Sequence, residues 1–323
     1  MAVSTRQALL QALSAAGGSY VSGQQLAETL GVSRAAVHKA AAALTAQGYA
    51  LEAAPRRGYR LAGGDPFCTE AIGDYPAPIY LYDTLESSNR TAKLLALDGA
   101  PHGTLVLTAH QSAGRGRLGR RFESPAGKGV YCSVLLRPEI PAANAQTATI
   151  SAAVAVCRAV KKLCGLELAV KWVNDLYYQG RKVCGILTEA ALDMESGMLD
   201  YAVLGLGFNI TAPPDGWPAE LQDVAGALFD DAPPPGARAA LAAAFLNEFW
   251  ALYHGVPKPE YLPEYRARQA LLGQTVTVTP RNGTPRKAEA LDIDEDCRLV
   301  VRFAGEHNSV PLRGEEVHLG KYL

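Results

Sequence analysis

A segment in which arginine alternates with glycine constrains the fold of this chain more than any other feature. Residues 111–122 read QSAGRGRLGRRF and contain Arg115, Arg117, Arg120 and Arg121 interleaved with Gly114, Gly116 and Gly119. Because glycine loses more backbone freedom on ordering than any other residue, such a run makes a poor helix and a poor strand. The planar guanidinium groups between the glycines suit carboxylates and phosphates. The segment therefore predicts a loop that binds an anion.

The flanks of this arginine loop (residues 111–122) distinguish it from a solvated basic loop, which is the commoner meaning of an isolated run of arginine and glycine. Residues 105–111, LVLTAHQ, have the pattern of a strand, and a second strand is predicted over residues 130–136 after a turn. A loop held between two core strands is fixed in position, as binding loops usually are. It does not match GxxxxGK(S/T), which excludes a Walker-type phosphate loop here.

The length of the chain and the distribution of its charges indicate several domains. Its 323 residues exceed one ordinary core, and we predict three domains over residues 1–63, 64–270 and 271–323. The first 63 residues carry six lysines and arginines against two acidic side chains, a formal charge of +4. The remainder has 25 basic and 30 acidic side chains, a formal charge of −5. The N-terminal unit is therefore the part of the chain best suited to a polyanionic partner.

Capping residues predict three helices and a hairpin in residues 1–63. Gly17 and Gly18 end a first helix. Ser22 opens a second helix that ends at Gly31, and Ser33 opens a third. The residues that follow, YALEAAPRRGYRLA, predict a hairpin with two arginines at its tip. This order is typical of a winged helix-turn-helix, a DNA-binding fold.

The third helix and the hairpin tip supply the residues that we expect to contact DNA. They are Ser33, Arg34, Ala35, His38 and Lys39 on the helix, and Arg56 and Arg57 on the tip. The helix would enter a groove, and the tip arginines would reach phosphates or the minor groove. A small helical domain used only for packing or dimerisation is the alternative. The local excess of positive charge favours DNA binding.

Polar residues follow the strand predicted over residues 79–85, IYLYDTL. Ser87, Ser88 and Asn89 come directly after it and before a predicted helix. Helix capping alone explains residues of these types. Hydroxyl and amide groups at the end of a strand also suit a polar heterocyclic ligand, so both explanations fit the residues.

Two lysines and a carboxylate flank a hairpin further along the chain. Lys171 lies near the end of the strand LELAVKW, Asp175 lies at the bend, and Lys182 opens the strand RKVCGILTEA. Two explanations fit these residues. The lysines are ordinary solvated side chains, or the hairpin brings Asp175 as a magnesium ligand and Lys182 as a cation to one site. Residues 199–210, LDYAVLGLGFNI, predict a further strand, whose GxGxN spacing is weak evidence of a site by itself.

The remaining features bear on architecture and compartment. From Gly273 onward, short alternating segments predict a small β-barrel. The six cysteines show no CxxC pair and no metal-ligand spacing, which favours buried thiols in a reducing cytoplasm. The N-terminus lacks the order of a signal peptide, and the longest uncharged run contains proline and polar residues. We therefore expect a cytoplasmic protein without a transmembrane segment.

Together the motifs resemble the biotin protein ligases that carry an N-terminal DNA-binding domain, the bifunctional ligases and biotin-operon repressors. The shared motifs, in the order of that family, are ESSN at 86–89, HQSAGRGRLGRRF at 110–122, KWVND at 171–175, RKVCGIL at 181–187 and GLGFN at 205–209. The resemblance covers nearly the whole chain. It implies an α+β multidomain fold with a winged helix-turn-helix, a central mixed β-sheet with helices similar to class II synthetases, and a C-terminal SH3-like β-barrel.

The resemblance implies a two-step reaction, in which ATP activates biotin to biotinyl-5′-AMP and biotin then passes to a lysine of the biotin carboxyl carrier protein of acetyl-CoA carboxylase. The residues implied for biotin are Ser87, Ser88, Asn89, Gln111, Arg115, Gly116, Arg117 and Lys182. Those implied for ATP are Arg117, Arg120, Phe122, Lys171, Asn174 and Asn209. Lys182 and Arg117 would be catalytic, and Asp175 would hold Mg²⁺. Biotinyl-5′-AMP would also be the corepressor of a homodimer that binds operator DNA and represses biotin synthesis genes, with no role for a membrane.

The chain departs from that family at three positions. Serine stands at Ser88 where threonine is usual, which predicts a small loss of packing. Valine stands at Val173 where proline is usual, which predicts a looser turn. Phe122 replaces a common tryptophan, so that a stacking face is kept and an indole donor is lost.

Three other functions are compatible with parts of the sequence. A lipoate ligase uses the same chemistry on a different acid, although the arginine loop ahead of RKVCGIL favours biotin. A regulator that only senses biotin or its adenylate is disfavoured because the arginine loop and Lys182 are both retained. A ligase whose helix-turn-helix no longer regulates is compatible with every motif above.

Overall fold

The computed structural model describes residues 4–46, 48–63, 67, 69–138, 145–192, 195, 197–253, 261–280, 283–314 and 317–319. The sequence favours a linker at Asp65 and Pro66 and a turn at Asn282 and Gly283. Asp65, Pro66 and Asn282 lie outside the described residues. The domain boundaries at residues 63/64 and 270/271 stay predictions.

The N-terminal elements are α1 (Thr5–Ala15), α2 (Gly23–Leu30), α3 (Arg34–Ala46), β1 (Ala50–Ala54) and β2 (Gly58–Gly63). The two strands pair antiparallel as the wing. The Ser22 side chain accepts the backbone N–H of Gln25 at 3.1 Å, and the Ser33 side chain accepts that of Ala36 at 3.1 Å. Gly31 ends α2 at a φ of +64°, where a residue with a Cβ atom is strained. The predicted winged helix-turn-helix is confirmed.

A separate apolar core holds the N-terminal elements together. Leu9 and Leu13 of α1 meet Leu26 of α2 and Val37 of α3, and all four are fully buried or nearly so. The helix-turn-helix pattern predicts Ala27 at the helix crossing and Leu26, Leu30, Val32, Val37 and Leu44 facing inward. Leu26, Ala27, Val37 and Leu44 are buried, and Leu30 and Val32 are partly buried. This cluster is distinct from the core that fills the rest of the chain.

The central elements are α4 (Thr69–Ile72), β3 (Ile79–Leu85), α5 (Ser88–Leu97), β4 (Leu105–Gln111), β5 (Gly129–Leu136), α6 (Gln146–Cys164), β6 (Ala169–Lys171), β7 (Asp175–Tyr178), β8 (Arg181–Leu192), β9 (Leu199–Asn209), α7 (Ala237–Leu252) and α8 (Leu262–Ala267). The seven strands form one sheet in the order β3-β4-β5-β9-β8-β7-β6. Strands β3 and β4 run parallel and the other neighbouring pairs run antiparallel. The predicted mixed sheet is therefore confirmed.

Apolar side chains cover both faces of the middle of this sheet. On β4, Leu105 and Leu107 join the core that includes α6 and α7, whereas Val106 between them joins the core beneath α5. A strand buried on both faces reads as a continuous apolar run, which explains the LVL sequence of β4. Across the described parts of the chain, no helix is both long and apolar enough to span a membrane.

The C-terminal elements are β10 (Thr275–Pro280), β11 (Arg286–Ile293), β12 (Leu299–Phe303), β13 (Ser309–Leu312) and β14 (Val317–Leu319). They form an antiparallel sheet in the order β13-β12-β11-β10-β14. Val276 and Val278 belong to the same core cluster as Trp172 of the central domain. The carbonyl of Cys297 accepts hydrogen bonds from Trp172 Nε1 and Gln146 Nε2, both at 3.1 Å. The small C-terminal β domain is thus fused to the central domain.

Leu13→Ala is expected to lower the free energy of unfolding of the N-terminal domain by about 2–5 kcal/mol, because it leaves a cavity in a small core. Since that core is separate, differential scanning calorimetry should show a shifted transition for this domain and an unchanged one for the fused central and C-terminal domains. Gln11→Ala, at an exposed position of the same helix, is the control. A shift of the main transition would contradict the independence of the two cores.

Candidate active site

A cavity of about 440 Å³ opens between the arginine loop and strands β8 and β9. All fourteen residues predicted for small-molecule or metal binding line it. They are Ser87, Ser88, Asn89, Gln111, Arg115, Gly116, Arg117, Arg120, Phe122, Lys171, Asn174, Asp175, Lys182 and Asn209. The structure thus brings together segments that are more than 100 residues apart in sequence, while the role of each residue stays a prediction.

One wall of the cavity consists of polar groups at the start of α5. Ser87 is the residue before the helix and its side chain makes no capping hydrogen bond, so capping does not explain these residues. Instead, the backbone N–H of Ser88 donates to Gln111 Oε1 at 2.9 Å. Gln111 Nε2 donates to Ser124 Oγ at 2.8 Å. These groups are buried, which makes them a fixed polar surface.

Asn89 belongs to the same wall, and its side chain is fixed by hydrogen bonds to residues outside the cavity lining and to β8. Its Nδ2 donates to Glu189 Oε2 at 2.8 Å and to the carbonyl of Leu187 at 3.2 Å. Its Oδ1 lies 2.6 Å from Ser133 Oγ. A Cβ atom at Gly205 would lie 2.1 Å from Asn89 Oδ1, so glycine is required there.

Sequence reasoning missed Ser124, Ser133 and Glu189. The signal for Ser133 was a polar residue inside an otherwise apolar strand, GVYCSVLL, and the signal for Glu189 was a carboxylate within β8. A buried polar side chain in a strand implies a hydrogen-bonding partner, but the sequence does not say which one.

The arginine loop folds back on itself as a short hairpin. The backbone N–H of Gly116 donates to the carbonyl of Arg120 at 2.7 Å, and that of Phe122 donates to the carbonyl of Gly114 at 2.9 Å. A Cβ atom at Gly114 would lie 2.4 Å from the carbonyl oxygen of Phe122. The predicted loop therefore contains a short antiparallel pairing, which its glycine content did not predict.

Arg117 joins three segments of the chain. Its guanidinium donates to Asn174 Oδ1 at 3.1 Å and to the carbonyl of Gly314 in the C-terminal domain. Asn174 in turn donates from Nδ2 to the carbonyl of Ile186 at 2.8 Å, and accepts the Ile186 N–H on its own carbonyl at 2.9 Å. These bonds fix the turn in which Val173 replaces the usual proline.

Two lysines and Asp175 form the charged end of the cavity. Lys182 Nζ lies 2.7 Å from Asp175 Oδ1. Burial lowers the pKa of Lys171, Asp175 opposes that effect, and Lys182 and Arg120 reinforce it. A buried ammonium with other cations beside it is stabilised by an anion, which suits this end of the cavity to a phosphate or carboxylate.

The GxGxN sequence of β9 has a role at each position. Gly205 gives room to Asn89, as described above, and a Cβ atom at Gly207 would lie 2.4 Å from the ring of Phe122. The ring of Phe122 thus lies against bare backbone. Asn209 Nδ2 donates to the carbonyl of Gly226 at 2.9 Å and anchors the segment that follows the strand.

The predicted DNA-contacting residues lie apart from the cavity. Ser33 before α3, four residues of α3 and both wing arginines are exposed; they are Ser33, Arg34, Ala35, His38, Lys39, Arg56 and Arg57. The Arg57 guanidinium stacks over the ring of Tyr20 at 4.1 Å, which restricts its direction.

Comparisons with known proteins identify the relatives of this chain. Residues 81–209 match the model of the biotin/lipoate A/B protein ligase family, and residues 5–60 match a helix-turn-helix domain. The bifunctional ligase/repressor BirA of Bacillus subtilis (strain 168) is 34% identical over 311 residues, covering 92% of this chain and 93% of that protein. The biotin--[acetyl-CoA-carboxylase] ligase of Mycobacterium tuberculosis (strain ATCC 25618 / H37Rv) is 31% identical over 240 residues, covering 72% and 86%.

A solved structure supports the fold. The biotin protein ligase from Aquifex aeolicus in complex with biotin and ATP superposes with a TM-score of 0.60 at 21% identity, covering 76% of this chain and 99% of that chain. At this identity the similarity concerns architecture, that is, the central sheet with its helices and the C-terminal sheet.

Gly205→Ala is expected to lower the free energy of unfolding by about 1–3 kcal/mol, because the new methyl group would displace the buried Asn89 side chain from its hydrogen bonds. Urea denaturation followed by circular dichroism measures the change. Gly116→Ala is the matched control, since its Cβ atom would meet no atom closer than 3.5 Å. Equal stability of the two variants would contradict the close approach of Asn89 to β9.

Proposed function

The chain belongs to the biotin/lipoate A/B protein ligase family and, within it, to the bifunctional ligase/repressors, and we propose that it activates biotin with ATP to biotinyl-5′-AMP, transfers biotin to a carrier protein and represses biotin synthesis genes. One observation carries the ligase activity: the polar wall, the arginine hairpin and Lys182 line a single cavity. That arrangement offers a polar head-group site beside a cationic site, as a condensation of a carboxylate with a nucleotide requires.

In the first step, the carboxylate oxygen of biotin attacks the α-phosphorus of ATP and pyrophosphate leaves. Ser88, Asn89 and Gln111 hold the ureido ring at the polar end of the cavity. Arg115 and Arg117 neutralise the biotin carboxylate and the nucleotide phosphate, so that two anions can approach each other. The site thus acts mainly through positioning and charge.

Lys182 is the preplaced cation of this step. Its ammonium group lies 2.7 Å from Asp175 Oδ1, and we propose that it bridges the biotin carboxylate and the α-phosphate when both are bound. Because the cation is already in place, little reorganisation is needed as negative charge develops. Lys171 and Arg120 bind further phosphate oxygens, and Phe122, Asn174 and Asn209 complete the nucleotide site.

Asp175 fits a magnesium ligand. Magnesium commonly takes one or two protein carboxylates and completes its shell with water and substrate phosphates. Within the described residues, no group of three or more histidine, cysteine, aspartate or glutamate side chains could hold a metal alone, so the substrate phosphates must contribute. When bound, the ion would neutralise phosphate charge and orient the leaving group.

In the second step, the amine of a carrier-protein lysine attacks the acyl carbonyl of biotinyl-5′-AMP and AMP leaves. We propose the biotin carboxyl carrier protein of acetyl-CoA carboxylase as the acceptor. Because the carrier lysine must reach the adenylate, the face of the protein around the arginine hairpin has to be open during transfer.

Repression uses the exposed face of α3 and the wing. We propose that the adenylate-bound protein forms a homodimer, which sets two winged helices at a fixed spacing and so fits a palindromic operator. Ordering glycine-rich loops costs conformational entropy, and a ligand that has already ordered them lowers the cost of association. Biotinyl-5′-AMP is thereby both the intermediate and the corepressor.

Lys182→Ala is expected to reduce adenylate formation by about a hundredfold to a thousandfold, since loss of one preorganised charge typically costs about 3–4 kcal/mol in the barrier. Biotin-dependent release of pyrophosphate measures this step, with lipoate as a competing substrate. Lys162→Ala, an exposed lysine on α6, is the control and should keep full activity. Near-normal turnover of a folded Lys182→Ala protein would remove Lys182 from the mechanism, and preference for lipoate would make the chain a lipoate ligase.

Biotin plus ATP is expected to raise both the dimer fraction and the operator affinity, and added carrier protein is expected to lower both, because carrier and partner subunit compete for the same face. Sedimentation velocity gives the first quantity and filter binding the second, both at one fixed salt concentration because phosphate contacts are salt-dependent. Arg34→Ala should weaken operator binding and leave dimerisation unchanged. Operator affinity that does not respond to biotin plus ATP would contradict the coupling.

A further inference from the structure

A hydrogen-bonded chain runs behind the polar wall of the cavity and ends on a half-buried ion pair. We infer that Glu189, which lies behind Asn89, is a positioning residue that fixes the polarity of this wall, so that the wall presents acceptor oxygens and selects a ligand whose ring bears N–H donors. This inference rests on the proposed biotin site and adds the group that sets its specificity.

The amide of Asn89 has one orientation because both of its partners on that side, Glu189 Oε2 and the Leu187 carbonyl, only accept hydrogen bonds, and Glu189 makes the shorter bond. An ionised carboxylate only accepts hydrogen bonds, so the group of Asn89 that lies 2.8 Å from Glu189 Oε2 must be Nδ2. The carbonyl of Leu187, at 3.2 Å, takes the second hydrogen of that nitrogen. Asn89 Oδ1 therefore faces Ser133 and the cavity wall.

The orientation of Asn89 determines the hydrogens of the next two hydroxyl groups. Ser133 Oγ lies 2.6 Å from Asn89 Oδ1 and 2.8 Å from Ser88 Oγ. A hydroxyl has one hydrogen, and Asn89 Oδ1 can only accept, so Ser133 donates to Asn89. The single hydrogen of Ser88 then goes either to Ser133 Oγ at 2.8 Å or to Gln111 Oε1 at 3.2 Å. With either acceptor, the Ser88 hydrogen is used inside the wall and Ser88 offers only a lone pair to a ligand.

At Gln111 the wall also presents an acceptor oxygen. The backbone N–H of Ser88 donates to Gln111 Oε1 at 2.9 Å, and Gln111 Nε2 donates to Ser124 Oγ at 2.8 Å. Ser88, Asn89 and Gln111 all line the cavity. In this network Ser88 Oγ, Asn89 Oδ1 and Gln111 Oε1 consequently act as acceptors. Such a wall fits ring N–H groups and repels ring oxygens, whose lone pairs would meet lone pairs.

The polarity persists because the network is buried and Glu189 stays ionised. Ser133, Ser88 and Asn89 are between 0% and 4% exposed, so water does not supply alternative partners. Lys93 Nζ forms an ion pair with Glu189 Oε1. Burial raises the pKa of Glu189, but the hydrogen bonds from Lys93 and Asn89 outweigh it and hold that pKa below its usual value.

Glu189→Gln removes the constraint with almost no change in shape. A glutamine amide can donate to Asn89 Oδ1, which allows the Asn89 amide to turn over with the loss of only its longer bond, the one to the Leu187 carbonyl at 3.2 Å. Ser133 then receives a hydrogen from Asn89 and can donate its own to Ser88, which frees the Ser88 hydrogen for the cavity. The KM for biotin should rise about tenfold to a hundredfold, while kcat and the KM for ATP change by less than about threefold, since the cost of a mismatched buried hydrogen bond falls on biotin binding.

Lys93→Met is the matched control. It removes the same ion pair but leaves a carboxylate that only accepts hydrogen bonds, so its KM for biotin at neutral pH should stay within about threefold of the unmodified protein. If the two variants raise this KM equally, Glu189 acts through the ion pair and the inference is overturned.

The second readout is a biotin analogue in which one ureido N–H is replaced by oxygen, a cyclic carbamate. The inhibition constants of the analogue and of a non-reactive biotin ligand, biotinol, are compared in each protein. The unmodified protein should prefer the N–H ligand, and the Glu189→Gln protein should lose most of that preference. An unchanged preference would overturn the inference even if binding weakened overall. If the unmodified protein released no pyrophosphate with biotin, the proposed function would fail instead.

Discussion

The missing side chains of Gly205 and Gly207 in β9 are the constraint on which the rest of the site depends. Strand β9 lies between β5 and β8 in the middle of the sheet, where both faces are normally filled. At these two positions the space that a Cβ atom would take is occupied by Asn89 and by the ring of Phe122. A cavity over the centre of a sheet therefore coexists with a closely packed core on the opposite face, which carries α6 and α7.

Local chemistry made much of this structure predictable from sequence. Helix caps at Ser22 and Ser33, the glycine at the end of α2, and apolar alternation in the C-terminal strands are short-range features, and each is found where it was predicted. The arginine loop was recognised by composition, although its internal pairing was not. The side chains of the cavity were assigned by motif, and the structure collects them at one place.

Contacts between distant segments could not be predicted. Arg117 reaches the carbonyl of Gly314 across 197 positions, and Asn89 reaches Glu189 across 100. Ser133 carried a weak signal, since one serine in an apolar strand has many possible partners. The shared core of the C-terminal strands and the central domain could not be predicted either, because apolar alternation shows that one face of a strand is buried but not which segment covers that face.

Val224 and Ala225, which line the cavity, belong to a segment that is hydrogen-bonded to the strand that carries Lys182. The backbone N–H of Lys182 donates to the carbonyl of Val224, and the backbone N–H of Gly226 donates to the carbonyl of Lys182, each at 2.8 Å. Residues 224–226 and the backbone of Lys182 are thus held together by hydrogen bonds. Any displacement of residues 224–226 that breaks these two bonds also frees the backbone that aims the ammonium group, so exposure of the cavity and loss of its aligned charge would be a single event rather than two.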